Sequence, residues 1–230
     1  MINRKLVACV VVACLLPATG HAHHGVDFIL AQTAHLPAQG AGYLVGRVDY
    51  VAKNENEAEF QPEVLYGATE WMSLDLHAHI AKPQGQSASY EALAPEVTVR
   101  LTPRASALSA AVSAEYEIAR DGNADDVFGL AGIVGYATEE WLATVNLVYE
   151  KPSGSTREWS FAAGVRRNLS HDHGLGLEFT GPLESGGNTE ALLGYYGGLS
   201  ERLTFNAGLG TGIAGGPDWS LRTTLIWQFR

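Results

Sequence analysis

From Tyr43 to the C-terminus, apolar and polar side chains alternate in short segments that recur along the whole remaining chain. A strand turns successive side chains to opposite faces, so a period of two gives each segment one face for an apolar medium and one for a polar medium. Leu44, Val48 and Tyr50 oppose Tyr43, Arg47 and Asp49; Met72, Leu74, Leu76 and Ile80 oppose Ser73, Asp75, His77 and His79. At the end of the chain Trp219, Leu221, Thr223, Leu225, Trp227 and Phe229 oppose Ser220, Arg222, Thr224 and Gln228. The pattern predicts twelve strands, at 43–52, 57–67, 71–82, 90–102, 107–119, 127–137, 141–150, 157–168, 174–183, 189–198, 202–213 and 218–229.

The connections alternate in kind. Short turns fall at Ala68-Thr69-Glu70, Pro103-Arg104-Ala105, Thr138-Glu139-Glu140, Ser170-His171-Asp172 and Ser200-Glu201, and longer Gly-, Asn- or acid-rich loops fall between them. An even number of strands with short turns on one side and long loops on the other is the pattern of an all-β, transmembrane, antiparallel up-and-down β-barrel of about twelve strands, such as those of bacterial outer membranes. The apolar face would then meet lipid and the short turns the periplasm. Aromatic side chains on that face sort into two belts, with Tyr50, Phe60, Tyr116, Phe128, Tyr149, Trp159 and Trp219 near the loops and Tyr66, Tyr136, Trp227 and Phe229 near the turns. A soluble sandwich or lipocalin-like barrel also alternates, but it calls for neither the belts nor the even spacing. The ending Ile226-Trp227-Gln228-Phe229 resembles the terminal signature read by the barrel-assembly machinery, with Arg230 following the aromatic.

Residues 1–22 read as a signal peptide: Arg4 and Lys5, an apolar stretch from Leu6 to Leu16, then small residues up to Ala22. A lipobox-like reading centred on Cys14 is the alternative. Both cysteines, Cys9 and Cys14, lie in this segment, so a chain starting at His23 forms no disulfide. Removing Arg4 and Lys5 from the 15 basic side chains leaves 13 against 25 acids, a net charge of −12. That balance excludes a general nucleic-acid binder, which needs a basic face. Residues 23–42 precede the first strand and are expected to form a plug or to lie along the periplasmic rim, with the barrel itself occupying 43–230.

With the apolar face outward, the inward set holds Asp49, Glu59, Glu63, Asp75, Glu96, Glu115, Glu117, Glu150 and Glu178 against Arg47, Arg100, Arg166 and Arg222. This predicts an acidic lumen, and rings of carboxylates select cations. Pairing of the arginines with the acids would close the lumen instead. Asp75, His77 and His79 share one strand face, and with His23 and His24 they form the one metal-like set in the sequence, suited to zinc or copper. His171 and His173 are expected in a solvated turn. No nucleophile motif, phosphate loop or HExxH occurs, and Glu115 with Glu117 reads as wall lining, so no enzyme and no cofactor is expected.

The phrases Val64-Leu65-Tyr66-Gly67-Ala68-Thr69-Glu70-Trp71, Ala207-Gly208-Leu209-Gly210 and Leu221 to Phe229 resemble small porin-like outer-membrane proteins of Gram-negative bacteria. They are most similar to the transporter family named for the meta-pathway of phenol degradation. The resemblance implies passage of small solutes, aromatic compounds among them, and carries over no binding residue. The expectation is a passive channel in the outer-membrane lipid, with an unidentified small solute as its partner. The alternative is a closed barrel with a structural or metal-binding role in the envelope.

Overall fold

The computed structural model describes residues 27–53, 56–120, 124–184 and 188–229. The expected signal peptide, with Cys14, and the residues His23 and His24 lie outside them. The strands are β1 Gly42–Ala52, β2 Glu57–Gly67, β3 Met72–Pro83, β4 Ser89–Arg100, β5 Leu108–Ala119, β6 Val127–Ala137, β7 Trp141–Pro152, β8 Glu158–Asn168, β9 His173–Pro182, β10 Thr189–Ser200, β11 Leu203–Ala214 and β12 Trp219–Gln228. Each pairs antiparallel with its sequence neighbours, and β12 returns to β1 with Tyr43 opposite Gln228 and Ala52 opposite Trp219, closing the barrel. The expected strands are all present, with ends that differ by no more than two residues.

Alternation sorts the two faces. Leu74, Leu76, Val112, Leu130, Val145, Leu147, Leu177, Leu193 and Leu225 stand exposed on the outside, while Ser73, Ser113, Thr144, Asn146, Glu178, Asn206, Ser220 and Thr224 are buried within. A soluble protein does not display a continuous belt of this kind, and a bilayer supplies the missing apolar partner. At the loop end the outer aromatics pair across strands, Tyr50 with Trp219 at 5.1 Å and Tyr149 with Trp159 at 5.0 Å between ring centres. At the turn end Trp71, Trp141 and Trp227 lie exposed.

Two prolines sit in mid-strand, where a closed sheet has no edge to hide them. Both point outward, and each coincides with a break in the ladder. Gln61 and Pro62 lack register partners on β3, and Ala94 and Pro95 lack them on β5, while their other sides stay paired. The missing amides therefore loosen two seams, both in the β2–β5 wall.

A charge placed on the lipid side should be costly. Leu147→Arg, at a position 46 % exposed in the middle of β7, is expected to lower stability by about 2–4 kcal/mol in urea titrations of liposome-folded protein. Arg at the inward Ser160 should cost much less, and equal costs at the two positions would contradict the assignment of faces.

Candidate functional site

The inner surface of the barrel is uneven. From β6 to β11 its inward residues are largely small, including Ala131, Ala162, Gly164, Gly174, Gly176, Gly194, Gly208 and Gly210. The room they leave is taken by residues 27–41, which run from the turn end into the lumen and back. Phe28, Ile29, Ala31, Ala34 and Leu36 are all buried there. Phe28 meets Tyr196 edge-on at 5.7 Å and lies so close to Gly164 that a Cβ at that position would come within 2.8 Å of its ring. Any larger residue at 164 would displace the segment.

Hydrogen bonds then fix the segment. The carboxylate of Glu178, fully buried, accepts the amides of Ile29 (2.8 Å), Leu30 (2.6 Å) and Ala31 (3.0 Å) and the Tyr196 hydroxyl (2.5 Å). Gln32, at the deepest point, donates its amide to Asn146 Oδ1 (2.7 Å), and its carbonyl accepts from Thr144 Oγ1 (2.8 Å) and Asn146 Nδ2 (2.9 Å). Its side chain donates across the lumen to Glu96. Asp27 closes the base of the loop, accepting from Thr33 Oγ1 (3.0 Å) and pairing with His35 Nδ1 (2.9 Å), while Arg166 donates to its carbonyl (3.1 Å). Burial opposes the charge of Asp27, but the hydrogen bond and charge of His35 and the guanidinium of Arg166 outweigh it and hold the carboxyl below its ordinary value. At the rim Arg104 donates to the carbonyls of Leu36 and Pro37, and Gly67 exchanges backbone bonds with Gly40 and Ala41. A side chain at Gly67 would strike the carbonyl of Ala38.

Between the segment and the opposite wall a cavity of about 430 Å³ remains. Its polar side carries Glu63, Asp75, Glu96, Glu115, Glu117 and Glu150, with Arg47, His35, His77 and His79 as the basic groups. Register explains the concentration. Asp75 stands opposite Glu96, Glu96 opposite Glu115, Glu115 opposite Gly129 and Gly129 opposite Glu150, so one row of acids crosses β3 to β7.

The remaining residues named from the sequence do other things. Asp49 and Arg222 form an ion pair, and Arg222 Nη2 also meets Glu190 Oε2 at 2.8 Å, a compact group pinning β10, β12 and β1. Arg100 caps the neighbouring turn through the carbonyls of Thr102 and Pro103. Arg166 faces the base of the segment and lies 5.3 Å from the Tyr196 ring centre. Glu59 binds His79 Nδ1 at 2.7 Å and Gln61 Nε2 at 2.8 Å. Asp75 and His77 bond to each other at 2.7 Å. Among the described residues no three His, Cys, Asp or Glu side chains converge to hold a metal ion. His173 is not a turn residue: it opens β9, half-buried, with Nδ1 2.7 Å from the Tyr195 hydroxyl.

Sequence reasoning missed Glu190, Asn146, Tyr196 and Gln32. Glu190 shares its inward parity with Leu192 and Tyr196, which are apolar because they pack on the segment, and that disguised the face. The run of inward glycines on β9 to β11 was the legible signal for a seat.

No known family model matches the chain, and no curated protein is similar to it in sequence. Solved structures share its fold. An outer-membrane channel from Pseudomonas putida F1 superposes with TM-score 0.63 at 13% identity, covering 88% of this chain and 98% of that one. The KdgM porin gives TM-score 0.60 at 8% identity over 82% and 99% of the two chains, and the NanC porin 0.60 at 11% over 80% and 98%. The fold is thus that of porin-like outer-membrane barrels.

Replacing Glu178 by Ala strands the amides of buried Ile29 and Ala31 and of half-buried Leu30, each buried one costing about 1–3 kcal/mol. Hydrogen exchange at Ile29, Leu30 and Ala31 should accelerate by at least about tenfold, and unchanged protection would refute the role of this carboxylate. The lowered Asp27 value means its clasp is complete above 3.8 and lost as pH falls through the lowered value. Protection of the segment should therefore hold from neutral pH to about pH 4 and weaken only below it.

Proposed function

We propose that this protein is a passive outer-membrane channel for small solutes, with a preference for cations. The observation that carries the reading is the cavity beside the inserted segment, where six carboxylates face one arginine and three histidines. Carboxylates in a confined lumen attract cations and repel anions. Solved structures of the same fold, described as porins and as an outer-membrane channel, support transport over catalysis. The short turns and both ends of the barrel would face the periplasm, so residues 27–41 enter from that side and act as a stopper. The segment bonds to both walls of the lumen, through Glu178 and Asn146 on one side and Glu96 on the other, and would narrow the path without filling it.

The structures of like fold also bear on the solute. One KdgM structure holds disordered oligogalacturonate, a polyanion. The acid row of the present chain has the wrong sign for such a ligand. Small cations and neutral molecules fit it better, and the strand phrases resembling the phenol meta-pathway transporters add aromatic compounds to the candidates.

Conductance in planar bilayers tests the proposal. The folded protein should give discrete steps whose reversal potential under a KCl gradient has the sign of cation preference. Glu96→Gln combined with Glu115→Gln should move that potential toward zero, and removal of residues 27–36 should enlarge the steps. Silence from protein shown to be folded by a heat-sensitive gel shift would overturn the channel reading.

A further inference from the structure

We infer that the outer face of β3 to β8, at the loop end, is a docking surface for a phosphorylated glycolipid of the outer leaflet, one whose sugar head group carries phosphate monoesters as in the lipid A class. The inference rests on the orientation that places the short turns in the periplasm and is independent of conduction.

Charge at this end of the barrel is sorted by face. Lys82 continues the outward run of Ala78 and Ile80 on β3, and Arg120 that of Tyr116 and Ile118 on β5. Lys151 and Arg157 share the outward parity of Tyr149 and Trp159 on β7 and β8. All four bases are exposed. Acids at this end of the same strands take the opposite parity: Glu59 pairs with His79, and Glu117 and Glu150 line the lumenal cavity. In a chain with 25 acidic against 15 basic side chains, such a gathering of bases is not a consequence of composition.

None of the four bases has a carboxylate partner among the described residues. Arg120 donates to the Tyr90 carbonyl at 3.4 Å, and its guanidinium lies 6.0 Å from the centre of that ring. Lys151 donates to the carbonyls of Pro152 and Ser155. Lys82 and Arg157 make no hydrogen bond or ion pair among the described residues. Asp126, at the same rim, is already engaged, since its carboxylate accepts from the Tyr116 hydroxyl and the Ala119 amide. Glu150 stands opposite Glu158 in the β7–β8 ladder, so the next outward positions set Lys151 against Arg157 across the hairpin. Like charges so placed repel, and a shared anion relieves them. Guanidinium groups suit phosphate by their paired donors, and lysines by their charge.

The surroundings narrow the anion to a lipid. Tyr90, Tyr116, Phe128 and Trp159 are exposed on the same face, with Phe128 opposite Lys151 in register. Aromatic side chains at that level meet the boundary between head groups and acyl chains. A soluble anion would leave them bare, whereas a lipid covers bases and rings together. The collar is also one-sided. On β9 to β12 and β1 the outward residues at this end include Leu183, Ile213, Trp219 and Tyr50, with no Lys or Arg among the described ones. Lys53 turns instead to Asn188 and the Gly215 carbonyl. Simple anionic lipids would meet every side of the barrel alike, so a basic patch confined to β3–β8 fits one bulky head group with more than one phosphate.

Native mass spectrometry of the folded full-length chain in detergent, titrated with bisphosphorylated lipid A, its dephosphorylated form and phosphatidylglycerol, tests this. Bisphosphorylated lipid A should be retained at least about tenfold more tightly than either other lipid. Combining Lys82→Gln, Arg120→Gln, Lys151→Gln and Arg157→Gln should abolish that preference while the gel shift of the folded barrel stays intact, and Arg120→Gln with Arg157→Gln alone should reduce it. Arg167→Gln, which removes an exposed base at the turn end of β8, should leave it unchanged. Equal retention of the three lipids by the unmodified protein, an undiminished preference in the folded collar variants, or an equal loss in Arg167→Gln would overturn the inference.

Discussion

A backbone amide or carbonyl that faces hydrocarbon has no water to turn to, so it must find its partner within the protein. For a chain of strands that requirement is met only when the sheet has no edge, and the β1–β12 ladder removes the last one. Once the sheet is closed, each strand has one face toward lipid and one toward the lumen, and the period-two pattern follows. The exceptions stay local. Pro62 and Pro95 cannot donate, and the ladder is interrupted beside them on one side only. Both gaps fall in the wall that carries the acid row, so the most charged part of the lumen is also the part least tightly sewn together.

Closure leaves an interior to be filled, and the two halves fill it differently. Glycine and alanine on β6 to β11 make a shallow bed, and the chain's own segment lies in it, held by Glu178 and Asn146. Those contacts are backbone-directed and buried, which gives the segment a definite path. On the β2–β5 side long acidic side chains keep the wall from closing on the segment. A third sector is locked by Arg222, whose guanidinium bridges Asp49 and Glu190. The larger cavity among the described residues therefore lies on the acidic side, and its charge is set by which strands border it.

Acids that stand directly opposite one another on β3, β4 and β5 cost the sheet stability. Beside the Asp49–Arg222–Glu190 group, where a guanidinium lies between two carboxylates, that row is a local conflict of the kind found at functional sites.

Alternation, turn chemistry and aromatic placement determined the number of strands, their order, which face meets lipid and how the barrel closes, because each is a short-range consequence of a period of two. The inward parity of Glu96 or Glu115 could be read in the same way. That the two stand side by side, and that Glu178 lies beneath residues 29–31 while Glu150 borders a cavity, could not be read. Those relations depend on strand register and on where a segment without periodicity comes to rest, and both are decided by long-range packing. For the same reason Asp75 and His77, two members of the metal-like set in the sequence, bond to one another in the fold, and Glu190, hidden among apolar neighbours, became a partner of Arg222 only when β10 and β12 were brought to either side of β11.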